Sequence, residues 1–406
     1  MELNKQISKH NYNAFLWHAV FLALASNFMD VGTIIPAMMI DAGSSSFQLG
    51  ILTAIMLGGG KLAQLIFASF LSNQSSKKAY LLGGVNARVF ALGGMALLFW
   101  FSPHIDNVAI IWFIFILITL FSFGGAFANI NYVDILGKSV LQEKRKAFFS
   151  IKQVISSLVV LVSAFFVKRI LITHDYPLNY AVLFFIAAAF LGIASLGFWK
   201  IKEISAPNLK ITGFRKFIRI VISEIRTNKK LRNYLLITNT QGIVVGFMPF
   251  LVLYAKKMFA AGSQNIGNFL ILKVIGGVLT GSILFYYSRK VKYQTMLYIT
   301  SVIAILIPLY VLFLPGAEYF PYIFLAGGII LTIYSVSSGG VLLEVTTNEN
   351  RALFTGLSGV GGILPVVFPF LGGWLITEFG FSLFFALFIA VMTISFYFIH
   401  KMGCKQ

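Results

Sequence analysis

The chain is a string of apolar runs, and their length decides what it can fold into. Twelve of them lie near 13–38, 47–71, 79–102, 108–132, 147–168, 178–199, 233–255, 264–287, 293–314, 320–343, 352–376 and 380–400. At a rise of about 1.5 Å per residue, each can cross about 30 Å of hydrocarbon. Backbone N–H and C=O groups in hydrocarbon must be paired within the segment, so the runs read as helices. Charged residues make up only 11% of the chain and hydrophobic ones 58%, whereas soluble domains carry about 25% charged residues. The sequence predicts an all-α membrane protein with twelve transmembrane helices.

The longest stretch without such a run is Trp199 to Asn233, which holds ten Lys/Arg against two acids, Glu203 and Glu224. Within it Phe214, Phe217, Ile218, Val221 and Ile225 recur at helical spacing, opposite Arg215, Lys216, Arg219 and Arg226. That is the pattern of a helix lying in the headgroup layer, its cations toward anionic membrane lipid. Basic loops mark the cytoplasmic side. Placing the linker there places both termini there as well. Only Lys168, Arg169, Lys256 and Lys257 then fall outside; Lys61, Arg88, Lys152 and Lys273 fall within spans, and every other Lys/Arg is cytoplasmic. This placement explains the net charge of +19 as membrane orientation, so no nucleic-acid partner is expected. The division read from the sequence is a six-helix half over 1–199, a cytoplasmic linker over 200–232 and a second half over 233–406. The lone cysteine, Cys404, excludes an intramolecular disulfide framework and a thiolate metal cluster. The N-terminus shows no short apolar region with a small-residue cleavage site, so no removable signal peptide is expected.

The halves repeat each other. Gly50 and Gly59-Gly60 in the second run match Gly267 and Gly276-Gly277 in the eighth at the same nine-residue spacing. Asp134 follows Gly124-Gly125, and Glu349 follows Gly339-Gly340, each nine residues after the second glycine. Lys146-Ala147-Phe148-Phe149-Ser150 opens the fifth run, and Arg351-Ala352-Leu353-Phe354-Thr355 opens the eleventh. Three matches in order at corresponding runs indicate a duplication of six helices, giving two pseudo-symmetric six-helix bundles.

Twelve runs, a long basic central loop and paired halves make the sequence resemble the major facilitator superfamily of secondary transporters. The family's loop between spans 2 and 3 reads Gly-x-x-x-Asp-Arg-x-Gly-Arg-Arg. Here it is Leu71-Ser72-Asn73-Gln74-Ser75-Ser76-Lys77-Lys78, which keeps the terminal cations and replaces the acid and arginine with Asn73 and Gln74. The counterpart Ser288-Arg289-Lys290-Val291-Lys292 also lacks the acid. Asp134 or Glu349 are the neighbouring charges that could complete the latch. Met29-Asp30-Val31-Gly32-Thr33-Ile34-Ile35-Pro36 resembles the acid-plus-proline stretch of multidrug exporters in that superfamily. The glycine- and proline-rich stretch those exporters carry in span 5 is missing, since Ile151 to Ile170 holds neither residue. Such a stretch occurs in the eleventh run instead, from Gly356 through Pro365 and Pro369 to Gly372-Gly373, and marks a candidate moving part.

An ionisable side chain at mid-bilayer costs about 2.5–3.5 kcal/mol on insertion scales, so each needs a partner or a task. Asp30 reads either as a proton carrier, releasing a cation when protonated, or as the carboxylate of a structural salt bridge to Lys61 or Arg88. Arg88, with five fixed donors, is the candidate grip for a substrate carboxylate or phosphate, its alternative being that same bridge. Lys61 and Lys273 lie in corresponding helices and together favour an anionic solute; snorkelling or local pairing is the alternative. Lys152 lies near enough to the surface to snorkel. Thr238-Asn239-Thr240-Gln241 interrupts the seventh run, and Asn239 and Gln241 read as substrate contacts or as helix stitches. Asp134, Arg145, Glu344, Glu349 and Arg351 are candidate gate charges at the cytoplasmic mouth.

Paired Cys/His ligands, a phosphate-binding loop and a nucleophile elbow are all missing from the sequence. No metal, cofactor or enzymatic activity is expected. The expected function is secondary active transport of a small organic solute, leaning anionic or zwitterionic, by alternating access and coupled to H+. The chain is expected to work as a monomer, multi-pass in a bacterial cytoplasmic membrane. The other readings are a multidrug or metabolite efflux antiporter and, in another class, a non-transporting solute sensor.

Overall fold

The computed structural model describes residues 3–61, 67, 70–71, 74, 76–204, 223, 225–287, 291–345 and 362–402. Among these there is no strand. Every apolar run contains a helix: α1 Lys5–Phe28, α2 Ile34–Asp41, α3 Ser46–Ala54, α4 Lys78–Phe101, α5 Asn107–Ser139, α6 Gln142–Thr173, α7 Leu178–Trp199, α8 Lys229–Phe259, α9 Ser263–Tyr286, α10 Tyr293–Leu312, α11 Tyr322–Val345, α12 Leu364–Phe379 and α13 Phe381–Met402. Nine helices of the described residues are long and apolar enough to cross a membrane, and Ser46–Gly59 and Leu364–Phe379 are shorter apolar helices. The chain is an integral, multi-pass membrane protein. Residues 205–222 of the basic linker, where the headgroup-layer helix is expected, lie outside the described residues.

The first run is not one helix. It breaks between Phe28 and Ile34. Pro36 explains the break, because it has no N–H to offer the carbonyl of Gly32 and its ring would strike that carbonyl in a continuous helix. Residues Val31, Gly32 and Thr33 form turns instead, and Pro36 falls in the first turn of α2, where a missing N–H costs little. Ala37 N–H donates to Thr33 O at 3.1 Å, starting the new ladder. Asp30 sits in this unwound stretch, partly exposed. The second run is irregular too: α3 continues as a π-helical turn over Ile55–Gly59 before Gly60 and Lys61. π-Turns of this kind concentrate at functional sites.

Packing divides the chain into two compact units. The first comprises Met1–Asp30, Asp41–Gly43 and Gly59–Phe214; the second comprises Val31–Ile40, Ser44–Gly58 and Arg215–Gln406. The chain thus changes unit at the Asp30 break and at the end of the π-turn. In the second unit α3 lies directly on α12. A Cβ on Gly50 would collide with the Pro369 carbonyl and stand 3.1 Å from Gly373 Cα. Glycine at position 50 is what allows two backbones to come this close.

Candidate functional site

In the first unit, glycines on α5 make room for a cation from α4. Arg88 lies against Gly124 and Gly125: a Cβ on Gly125 would stand 3.5 Å from Arg88 Nε, and one on Gly124 would stand 3.3 Å from Arg88 Cγ. The guanidinium carbon is 4.3 Å from the centre of the Phe121 ring, a cation–π contact on one face. Arg88 Nε is buried and has no hydrogen-bond partner among the described residues. Among them no carboxylate pairs with it either, and no ion pair joins it to Asp30. The Asp30–Arg88 bridge that the sequence allowed is therefore not formed. A ring face supplies attraction but no lone pair in the guanidinium plane, so the N–H fork remains an anion site by its chemistry.

Further polar groups lie along α5 in the same unit, several of them not legible as site residues in the sequence. Tyr132 on α5 buries a hydroxyl that has no partner among the described residues. Asn131 donates to Phe127 O at 2.7 Å, while its Oδ1 has no donor among the described residues. Lys152 Nζ stands 5.8 Å from the Tyr132 ring centre, so Lys152 faces an aromatic of its own unit. His18 on α1 is 5% exposed, stacks on Phe198 at 3.9 Å between centroids, and places Nδ1 3.3 Å from Ala194 O. Arg88 and Lys152 both lie within electrostatic range of it. A Cβ on Gly60 would stand 3.8 Å from Ser122 O and from Ala126 Cβ, so the second run passes, just before Lys61, beside the stretch of α5 that carries Phe121 and Gly125. The cluster gathers Arg88, Lys152 and His18 around aromatic rings.

The candidates in the second unit have a different setting. Gln241 is fully buried, and its amide nitrogen donates to Leu297 O at 2.6 Å and to Ser301 Oγ at 2.8 Å. Ser301 continues to Ser395 at 2.6 Å, so the amide ties α8 to α10 and α13. Asn239 donates to Leu235 O at 2.7 Å, and its Oδ1 accepts from Leu364 N–H at 2.8 Å at the start of α12. Both amides are used as helix stitches. Lys273 lies on α9 where α11 comes close: a Cβ on Gly328 would strike the Lys273 carbonyl.

The gate candidates divide likewise. Asp134 pairs with Lys77 at 3.1 Å and with Lys138 at 2.8 Å. Arg145, expected near Asp134, instead donates to Val140 O at 3.0 Å and to Gly137 O, closing the end of α5. Its planar fork suits the carbonyls a helix end leaves free. Lys77 comes from the loop between the second and third runs, so the carboxylate of Asp134 stands against that loop, which has none of its own. Glu203, from the start of the linker, accepts from Ser76 Oγ at 2.7 Å, Lys77 N–H at 2.5 Å and Lys78 N–H at 3.1 Å. Glu344 lies on α11 with its side chain outside the described residues, as are Glu349 and Arg351 entirely.

Comparison with known proteins agrees with this architecture. The family model described as the Major Facilitator Superfamily matches residues 16–348. A search of curated protein sequences finds no match. Among solved structures, a POT family transporter in complex with 5-aminolevulinic acid superposes with a TM-score of 0.71 at 10% identity, covering 97% of this chain and 96% of that one. A mutant of the nucleoside transporter NupG gives 0.69 at 12% identity over 97% and 100%. The inward open conformation of the xylose transporter XylE from E. coli gives 0.69 at 11% over 98% and 97%. At such identities these likenesses are of fold. The family match spans most of the chain, and with it the chain belongs to the Major Facilitator Superfamily, a class of secondary transporters and not of enzymes.

Proposed function

We propose that this transporter carries a small organic anion or zwitterion, gripping its carboxylate or phosphate with Arg88. The observation that carries the reading is the buried Arg88 Nε, which has a ring beneath it and, among the described residues, neither a hydrogen-bond partner nor a carboxylate. A buried guanidinium left unpaired is costly unless a ligand completes it. Lys61 and Lys152, of the same unit, add positive charge near α5, and His18 offers an imidazole beside Tyr132. The solute moves by alternating access, and Asp30 couples it to H+. Support for Asp30 comes from its place in the unwound turn between α1 and α2, where backbone groups and a carboxylate share a water-accessible break. The protein works as a monomer in a bacterial cytoplasmic membrane, with the linker and both termini inside.

The test is a melting screen of the purified protein, because a ligand that binds only the folded state raises its stability. The panel holds carboxylates, organic phosphates, zwitterions such as 5-aminolevulinic acid, sugars, nucleosides and lipophilic cations. An anion or zwitterion that stabilises wild type and not Arg88→Ala supports the reading and names a solute for flux assays. Stabilisation by lipophilic cations, lost in Asp30→Asn, would replace it with multidrug export. Asp30→Asn is expected to abolish accumulation driven by a pH gradient while solute exchange without a gradient persists. Full accumulation in that variant would remove the proton role.

A further inference from the structure

Each unit carries a cation-lined recess where its helices leave the apolar layer. In the first unit a cavity of about 550 Å³ opens between α1 and the start of α6, with Lys5 and Lys9 on one wall and Lys144 on the other. Tyr12 and Asn13 complete it, and Glu143 is the one carboxylate in its described lining. In the second unit a cavity of about 400 Å³ lies between the start of α8 and the end of α13. Lys229, Arg232 and Lys401 line it with Tyr397 and Asn233, and among the described residues no carboxylate does. The Lys401 ammonium donates to the Tyr397 hydroxyl and lies 4.3 Å from the centre of that ring. Each recess therefore presents three cations, one phenol and one amide.

Spacing makes this convergence possible. Lys5 and Lys9 are four residues apart on α1, and Lys229 and Arg232 are three apart on α8, so each pair shares a helix face. All six cations flank apolar runs: Lys9 precedes the first, Lys144 the fifth and Arg232 the seventh, while Lys401 follows the twelfth. This is headgroup depth, where long cationic side chains reach polar phosphate from an apolar stem. Charges that only orient a membrane protein need not meet in a hollow. These meet in one twice, at the first helix of each sequence half, with neutral donors beside them.

We infer that each recess holds the phosphate of an anionic phospholipid from the leaflet on the linker's side. The ammonium and guanidinium groups pair with the phosphodiester, the phenol and amide donate to its free oxygens, and the acyl chains run down the apolar flanks of α1 and α13, where Ile394 and Leu383 are exposed. Net lining charges of opposite sign to phosphate discriminate against zwitterionic headgroups, whose own cation would meet like charge.

Native mass spectrometry of the full-length protein in mild detergent tests this, with phosphatidylglycerol, phosphatidylcholine or soluble glycerol phosphate added at equal concentration. Wild type should retain two phosphatidylglycerol molecules and neither of the other two ligands. Combining Lys5→Gln, Lys9→Gln and Lys144→Gln should leave one, with affinity at the lost site down about tenfold or more. Lys229→Gln, Arg232→Gln and Lys401→Gln together should remove the other. Arginine in place of Lys5, Lys9 and Lys144 keeps charge and should keep both lipids, separating a site effect from misfolding. Lys168→Gln with Arg169→Gln and Lys256→Gln removes as much charge elsewhere and should keep both. Equal retention of phosphatidylcholine, unchanged lipid counts in the recess variants, or equal loss in the control triple would overturn the inference. Tight binding of glycerol phosphate at the recesses would overturn the lipid assignment in favour of a soluble phosphate ligand.

Discussion

The polar cluster beside α5 and the polar seam inside the second unit are both buried, and they are finished differently. Gln241, Ser301 and Ser395 form a continuous chain of hydrogen bonds, and the leftover atom there, Gln241 Oε1, is an acceptor. Beside α5 the leftover groups include donors, Arg88 Nε and the Tyr132 hydroxyl, in a neighbourhood rich in cations. Buried donors are normally matched because an unmatched one costs about 1–3 kcal/mol. A seam whose donors are all matched holds helices together; a cationic cluster with unmatched donors is complete only with an anion in it. Buried polar side chains are structural in one place and free to act in the other.

The largest effect should come from breaking the unsatisfied cluster. Arg88→Ala removes charge-assisted bonds to the ligand worth about 1.5–3 kcal/mol, so affinity for the anion should fall about tenfold to a hundredfold. Stability should not fall, because no described hydrogen-bond partner is left behind. Arg88→Lys should fall between, keeping a point charge without the planar fork. Uptake into proteoliposomes, read beside melting curves, checks both halves. A large loss of stability in Arg88→Ala would mean that the cation is a structural member after all.

Gln241→Leu is the mirror test. Hydrogen bonds between membrane helices average about 0.6 kcal/mol and reach about 1.7, and this amide makes two. The variant should lose about 1–3 kcal/mol of stability, while transport per folded molecule stays near that of wild type. Reduced affinity at unchanged stability would return Gln241 to the substrate site.

Two adjacent glycines sharpen the contrast within a single turn. An alanine Cβ at position 124 would stand 2.9 Å from Gly84 O, a backbone atom that cannot swing aside. Gly124→Ala should therefore cost about 1–3 kcal/mol by forcing α4 and α5 apart. At position 125 the nearest atom is Arg88 Nε at 3.5 Å, ordinary contact distance. Gly125→Ala should fold normally and weaken anion binding several-fold, because the methyl takes space beside the guanidinium. Equal destabilisation by the two would undo the assignment of Gly125 to the site.

The membrane class, the twelve apolar runs and the isolated cations can be read from the sequence because hydrocarbon tolerates so few alternatives. Arg88 stands out for that reason. Its setting does not, since Phe121 and Tyr132 belong to a chain with 42 Phe and 16 Tyr, and no spacing rule picks the two that face a cation. His18 lies near the start of the first run and is inconspicuous beside Asp30, whose carboxylate is the obvious polar intruder there. The break at Asp30 is signalled by Pro36 and Gly32 together, yet the run's hydrophobicity reads straight through it. Asn239 and Gln241 look alike in the sequence. Only the position of Leu364, Leu297 and Ser301 reveals that their amides are already taken, and such long-range partners leave no local pattern.

The smallest effects belong to the basic loop between the second and third runs, where Lys77, Asp134 and Glu203 already have partners. Glu203 caps α4 from outside: Lys77, at the cap position, offers no side-chain bond, and the carboxylate takes the first N–H groups instead. A negative group there also meets the positive end of the helix dipole. Glu203→Gln keeps one oxygen and loses the charge, so stability should drop by about 1 kcal/mol. The Lys77–Asp134 pair is held partly open to solvent, Asp134 being 28% exposed, and Asp134→Asn should cost about 0.5 kcal/mol. Salt separates the two variants. Raising ionic strength screens the exposed pair and should shrink the Asp134→Asn difference toward zero, whereas the Glu203→Gln difference, held in short bonds to backbone N–H groups, should persist. If both differences vanish together, the cap is no more than a surface charge, and the loop between the second and third runs is held by electrostatics alone.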